Sequence, residues 1–303
     1  MRLCVCGIIL LSLASVGPMT TIANDQFEIE ILRDIEFAKV DEFSLKLDLY
    51  QPVGAASPPL MVWVHGGAWR AGSKDNMPLN ELVKRGFAIA SIDYRLSPVA
   101  KFPAQVHDCK AAIRFLRAKA RQYGYDASKT GIVGSSAGGH LAAEIGVTNG
   151  HSKLEGTVGK HLDQSSSVQA IVDYYGPTNF LTILKQSTPH GLSVRVPALQ
   201  LLLGSQPEEN AALAKLASPV FHVDKNDPPL LMIHGDYDSQ VPINQSHELH
   251  GRYKEYGLTA RLEIIHGGAH GGPQFYNQAR IDLVDQFLKT HLRQGNTDEK
   301  SSN

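Results

Sequence analysis

Two styles of hydrophobic patterning divide the chain. "FEIEILRDIEFAKV" and "FSLKLDLYQP" alternate apolar and polar residues with period two, which predicts half-buried antiparallel strands near a sheet edge. Beyond them the apolar runs become continuous: "PPLMVWVHGG", "FAIASIDYR", "TGIVGSS", "VQAIVDYYGP", "PPLLMIHGD" and "ARLEIIHGG". Continuous β-rich runs of this length predict strands covered on both faces. Helical periodicity lies between them, over 104–122, 137–147 and 244–256, with a last helix near 274–292. Strands alternating with helices predict right-handed crossovers and a doubly wound, mostly parallel α/β sheet with helices on both faces.

The rhythm breaks between Thr178 and Asp227, where short helical patches are divided by Pro and Gly. A long excursion of this kind is a lid or binding loop, or a helical insertion with only a packing role; the pattern leaves both open. No 20–50-residue repeat and no low-complexity linker interrupts the chain, so residues 24–303 read as one domain with a cap-like insertion at about 178–227.

Composition changes this picture only at the edges. Of the 303 residues 43% are hydrophobic and 19% charged, enough apolar content for a sizeable core. The formal net charge of −1 supplies no global field that would draw the chain to nucleic acid. At the N-terminus Arg2 precedes an apolar run from Leu3 to Val16, with no acidic residue before Asp25. That run falls short of the roughly 20 residues that span a bilayer. It predicts a signal peptide over 1–23, with Thr21-Ile22-Ala23 at the cleavage point, in preference to an uncleaved anchor. A secreted or periplasmic protein without stable membrane insertion is therefore expected. Cys4 and Cys6 fall inside the signal, which leaves Cys109 alone and unable to form an internal disulfide. Cys109 shares a helical stripe with Val106, Ile113 and Leu116, the pattern of core packing.

Candidate chemistry centres on "VGSSAGGH". The run "GIV" leads into Gly134-Ser135-Ser136-Ala137-Gly138, and a helical "GHLAAEIGV" follows. This is the strand–turn–helix context of a G-x-S-x-G nucleophile elbow. Gly134 and Gly138 relieve crowding where strand and helix approach, which makes Ser136 the candidate nucleophile and Ser135 a packing neighbour. A serine hydroxyl needs a base, and the base an orienting carboxylate. "LLMIHGDYDSQVP" offers Asp236 and Asp238, and "LEIIHGGAHGG" offers His266 and His270, in the order Ser…Asp…His. Asp238 and His270 lie deeper in their loops and are the triad candidates, whereas Asp236 and His266 suit turn or supporting roles. A metal at His266 and His270 is not expected, since the i,i+4 spacing shares a face only in a helix and this stretch is glycine-rich. "VWVHGGAWRAG" completes the set. Gly66 and Gly67 let the backbone turn its amides inward, so Gly67, Ala68 and the N–H of Ala137 are candidate oxyanion donors. Trp69 and Tyr174 are candidate pocket residues, or alternatively core.

Together HGGAW, GSSAGG, HGDYDSQVP and GGAHGG resemble the α/β-hydrolase esterases, nearest the bifunctional feruloyl and acetyl-xylan esterase-like group. "SIDYRLSP" and "FPAQVHDCKAAIRFLR" are also similar, so the resemblance covers roughly residues 40–290. It implies an α/β-hydrolase fold and a serine carboxylic-ester hydrolase that needs no cofactor. Ser136, His270 and Asp238 would be its triad, and acetyl or feruloyl esters of plant polysaccharide its substrates. Asp93, Tyr94 and Arg95 match a family feature and read as a local ion pair with packing. Ala68 and Ser135 replace a glycine and an acidic residue usual in hormone-sensitive-lipase-like esterases, which argues against a lipid substrate. An arylformamidase or amidase, a short-chain lipase-like esterase and a non-catalytic binding protein of the same fold stay open as alternatives.

Overall fold

The computed structural model describes residues 26–292; the signal peptide read over 1–23 lies outside the described residues. Among the described residues eight strands form a single sheet: β1 (Ile29–Val40), β2 (Phe43–Pro52), β3 (Pro59–Val64), β4 (Ala88–Ile92), β5 (Asp126–Ser135), β6 (Ala170–Tyr174), β7 (Leu230–Gly235) and β8 (Ala260–Ile265). Their spatial order is β1-β2-β4-β3-β5-β6-β7-β8. The two alternating segments pair antiparallel with each other, and β2 joins β4 antiparallel; every later pairing is parallel. Two register shifts, at Leu32/Ile35 and Glu36/Ala38, bend the edge strand β1.

The continuous runs divide their residues between the two faces with period two. On β3, Leu60, Val62 and Val64 enter one core together with Val106, Leu141 and Leu249. These come from α2 (Ala104–Tyr123), α3 (Ala137–Gly146) and α8 (Asn244–Glu255). Met61 and Trp63 enter the other core with Leu82, Val83, Ile281 and Val284, from α1 (Asn80–Lys84) and α9 (Gln278–Leu292). Helices therefore cover both faces, as the doubly wound reading predicts. Cys109 is buried on α2, and Gly124, at φ 82°, ends that helix in a left-handed cap.

Three details differ from the sequence reading. α1, only five residues long, is too short to show periodicity. The last helix starts at Gln278 rather than 274, because Pro273–Phe275 form a 3₁₀ turn first. β8 is not covered on both faces: as the terminal strand it leaves Arg261 exposed and Glu263 half-buried.

The insertion folds into helices. α4 (Ser152–Glu155) precedes β6, and α5 (Ile183–Gln186), α6 (Pro189–Leu203) and α7 (Ala211–Leu216) follow it. Phe180, Leu199 and Leu202 pack into the main core. The Gln245 side-chain oxygen accepts the N–H groups of Thr178 (2.9 Å) and Asn179 (2.8 Å), tying the insertion to α8. Thr188 caps α6 by accepting from Gly191 N–H at 3.0 Å, and its hydroxyl donates to Ser239 O at 2.7 Å. The excursion is thus both packed and stitched to the loop that follows β7. Among the described residues no helix is long and apolar enough to cross a membrane.

Candidate active site

Four loops meet at the C-terminal ends of the parallel strands β3, β5, β7 and β8, where open α/β sheets form their crevice. β5 ends in the elbow. Ser136 has φ 55° and ψ −117°, a conformation that the tight turn into α3 imposes. A Cβ on Gly134 would collide with the Gly138 carbonyl, and one on Gly138 with the Val64 carbonyl. Both glycines are therefore required by close backbone approach. The N–H of Ser136 donates to Tyr174 O at 2.8 Å, which fixes the turn against β6.

His270, in the loop after β8, reaches Ser136 Oγ with Nε2 at 2.9 Å. Its Nδ1–H donates to Asp238 Oδ2 at 2.6 Å. Asp238 follows β7, and its Oδ1 accepts the N–H groups of Gln240 (2.8 Å) and Val241 (2.9 Å). Burial alone would push the Asp238 carboxyl up. Hydrogen bonds from His234 and His270, and their charge, outweigh burial and hold it well below the usual carboxylate range. The carboxylate thus stays ionised and fixes His270 in the tautomer that leaves Nε2 free to accept a proton. The neighbouring pair takes the turn role expected of it. His266 Nδ1 and Asp236 Oδ2 pair at 2.8 Å on the surface, and Asp236 Oδ1 accepts Gly267 N–H at 2.7 Å. Among the described residues no group of three His, Cys, Asp or Glu side chains could hold a metal ion.

The HGGA turn runs beside the elbow because Val64 pairs with Gly134. A Cβ on Gly66 would lie 3.4 Å from Ser136 Cβ, so the turn passes close to the serine. Gly67 has φ 111°, and Ala68 adopts φ 52° without the freedom of a glycine. Among the described residues no acceptor takes the N–H groups of Gly67, Ala68 or Ala137. The His65 ring stacks on Tyr94 at 4.3 Å and its Nδ1–H donates to Gly66 O at 2.7 Å. Burial lowers its pKa to about 4, which keeps it a neutral brace. Asp93 Oδ1 accepts Lys74 N–H at 2.8 Å, and Arg95 grips Asp108 with two bonds of 2.8 and 2.7 Å. The structural reading of Asp93, Tyr94 and Arg95 holds.

A cleft of ≈ 490 Å³ opens over Ser136 and His270, within the range of small-molecule sites. A wider concavity of ≈ 870 Å³ beside β1 is lined by lysines and His161 but has no nucleophile–base pair, so chemistry rather than size selects the site. Trp69 and Tyr174 do not line the cleft. Both are fully buried, because the turn carries Trp69 inward, where its Nε1–H donates to His140 Nδ1 at 3.1 Å, and Tyr174 faces the opposite core. Tyr175 lines it instead, with its ring 4.8 Å from that of His270. Two further residues escape the sequence reading. His234 lies 3.3 Å from Asp238 Oδ2, the oxygen that His270 also reaches. Arg195 comes from the insertion and lines the cleft with Val194. Their signals were a histidine inside the apolar β7 run and an arginine on the apolar stripe Arg195-Ala198-Leu199-Leu202 of α6.

A doubly wound sheet with a serine elbow after β5, an acid after β7 and a histidine after β8 defines an α/β-hydrolase. The chain belongs to the BD-FAE family, whose model matches residues 47–253. It is 31% identical over 239 residues to esterase LipC of Mycobacterium tuberculosis, covering 78% of this chain and 58% of that protein. Among solved structures it is similar to a truncated carbohydrate esterase from gut microbiota, with 33% identity and a TM-score of 0.79 over 89% of this chain and 99% of that one. It is also similar to a bifunctional GH43-CE protein of Bacteroides eggerthii, with 34% identity and a TM-score of 0.77 over 90% of this chain and 36% of that one. The chain spans about half the length of the first curated relatives it matches.

Proposed function

We propose that this chain is a serine carboxylic-ester hydrolase working through an acyl-enzyme. The observation that carries the reading is the unbroken relay from Ser136 Oγ through His270 to Asp238, at 2.9 and 2.6 Å, whose serine and histidine line one cleft. His270 Nε2 takes the Ser136 proton as Oγ attacks the ester carbonyl. The negative charge that develops on the carbonyl oxygen is met by the N–H groups of Gly67, Ala68 and Ala137, which no acceptor among the described residues occupies. His270 then protonates the departing alcohol, and the same nitrogen activates the water that frees Ser136. Every proton passes through Nε2, so Asp238 acts by orienting and charge rather than by transfer.

Acetyl or feruloyl esters on plant polysaccharide are the proposed substrates. Membership of the BD-FAE family and the likeness to carbohydrate esterases support this, and export under the N-terminal signal would bring the enzyme to such polymers. Replacing Ser136→Ala removes the nucleophile, and turnover of p-nitrophenyl acetate is expected to fall by more than about 10⁴-fold; retention of full activity overturns the mechanism. A fluorophosphonate probe should label Ser136, and failure to label favours a binding protein. Acetylated xylan and methyl ferulate test the substrate class against N-formylkynurenine, and inactivity on the first two removes the polysaccharide assignment.

A further inference from the structure

Arg195 has no counterpart in the mechanism above. It lies in the middle of α6, only 1% exposed, on the stripe that otherwise presents Ala198, Leu199 and Leu202 to the core. Its Nε and Nη1 are buried without a hydrogen-bond partner among the described residues. Among the described residues no carboxylate lies within ion-pair distance of it, and its guanidinium rests over the Trp69 ring at 5.8 Å. Burial lowers its pKa to about 10, so it remains charged at neutral pH. The charges that act on it are those of Asp238, already committed to two histidines and two amides, and of Arg70, which repels it.

A buried cation without an anionic partner is costly to keep. An apolar side chain would fill the same place in the α6 stripe at no such cost. Arg195 shares the cleft with Ser136 and His270; Arg70, Ser135, Tyr175 and Gln240 are its other polar side chains, and among the described residues no Asp or Glu lines it. The cleft is therefore electropositive in a protein of net charge −1. A guanidinium presents parallel N–H donors that match the two oxygens of a carboxylate.

We infer that Arg195 is the seat for a carboxylate of the substrate, so that the preferred ester carries an acidic group within reach of its acyl carbonyl. This rests on the reading of Ser136 as the nucleophile. The carboxylate belongs either to the acyl part, as in the half-ester of a dicarboxylic acid, or to the alcohol part, as in an acylated uronic acid.

Matched pairs test it. Mono-p-nitrophenyl succinate against p-nitrophenyl butyrate places the charge on the acyl side. 4-Acetoxybenzoate against its methyl ester places it on the leaving group. The wild type is expected to favour the anionic member of one pair by about 10- to 100-fold in kcat/KM, the worth of a charge-assisted hydrogen bond, through a lower KM. That pair identifies which side of the ester carries the acid. Arg195→Met and Arg195→Gln should bring the ratio close to one, and Arg195→Lys should keep part of it. No preference for the charge in either pair, a ratio unchanged in Arg195→Met, or an equal fall for both members of a pair overturns the inference. Failure to hydrolyse even the neutral esters would overturn the esterase reading instead. The carboxylate seat is then read without turnover: benzoate should raise the melting temperature of Ser136→Ala but not of Ser136→Ala/Arg195→Met. Absence of that difference also overturns it.

Discussion

Asp238→Asn probes the relay at the point where the structure makes the sharpest prediction. In the native carboxylate, Oδ1 accepts two backbone amides, and Oδ2 accepts from His270 Nδ1 and lies 3.3 Å from His234 Nε2. The amides of Gln240 and Val241 point at one side only, so the asparagine carbonyl takes that side. Its NH₂ group then faces both histidines. His270 must turn Nδ1 into an acceptor, which puts the ring proton on Nε2, where it faces Ser136 Oγ and cannot receive the serine's proton. His234 has no such freedom, because its Nε2–H also donates to Val241 O at 3.0 Å. A donor is left against a donor, and one buried polar hydrogen goes unmet, at about 1–3 kcal/mol of stability. The catalytic loss is larger: about 10⁴-fold in kcat, as for a wrong histidine tautomer elsewhere, or about 5.5 kcal/mol at 1.36 kcal/mol per decade. Steady-state hydrolysis of p-nitrophenyl acetate, on protein whose fold is verified by circular dichroism, measures it. The double variant with Ser136→Ala should be no slower than Ser136→Ala alone, since the residues act as one unit. A loss below about tenfold refutes the argument.

Two further predictions concern the scaffold. His140 is fully buried and neutral, accepting from Trp69 and donating to Ala217 O at 2.9 Å, with burial lowering its pKa to about 4. The unfolded chain protonates it below about 6.5; its contribution to stability is therefore complete above that pH and lost on acidification toward pH 4. The cost of His140→Gln, measured by urea denaturation, should be about 2–3 kcal/mol smaller at pH 4.5 than at pH 7; an unchanged cost contradicts the burial argument. Arg95→Met leaves the Asp108 carboxylate buried with no cation, which should cost about 3–5 kcal/mol. Adding Asp108→Leu should restore most of this in chemical denaturation, and a double variant as unstable as the single would refute it.

The geometry of the candidate site was legible in the sequence because each piece is local. A strand, two glycines and a central serine fit within ten residues, and the same holds for the HGGA turn and for the loops bearing Asp238 and His270. Close backbone approach leaves its mark as glycine wherever a Cβ cannot fit, as at Gly134 and Gly138. The cleft wall was not legible, because it depends on how the insertion folds back over the sheet. The apolar stripe of α6 says that Arg195 points inward, but nothing in "SVRVP" says that it lines the same cleft as Ser136. That follows only once Thr188 and Gly191 dock on Ser239 and turn the α6 stripe inward. Choosing Tyr174 over Tyr175 is the same problem at smaller scale. Adjacent residues of a strand point to opposite faces, but Tyr175 follows the end of β6 and has φ 46°, so simple alternation does not apply there.

Trp69 shows why an aromatic in the HGG-aromatic turn need not touch substrate. Of the seven non-glycine residues with positive φ among those described, Ala68, Trp69, Ser136 and Tyr175 all belong to the site or flank it. Each such conformation costs of order 1–3 kcal/mol, and two of them are consecutive in the turn that holds the free amides. Something must keep that turn from relaxing. Trp69 is fully buried, bonded to His140 and packed edge-on against Phe180 at 5.5 Å. Burying a large aromatic contributes on the order of 3 kcal/mol, comparable to the strain beside it. The indole therefore anchors the turn from below, and the cleft's selectivity is left to the side chains above it.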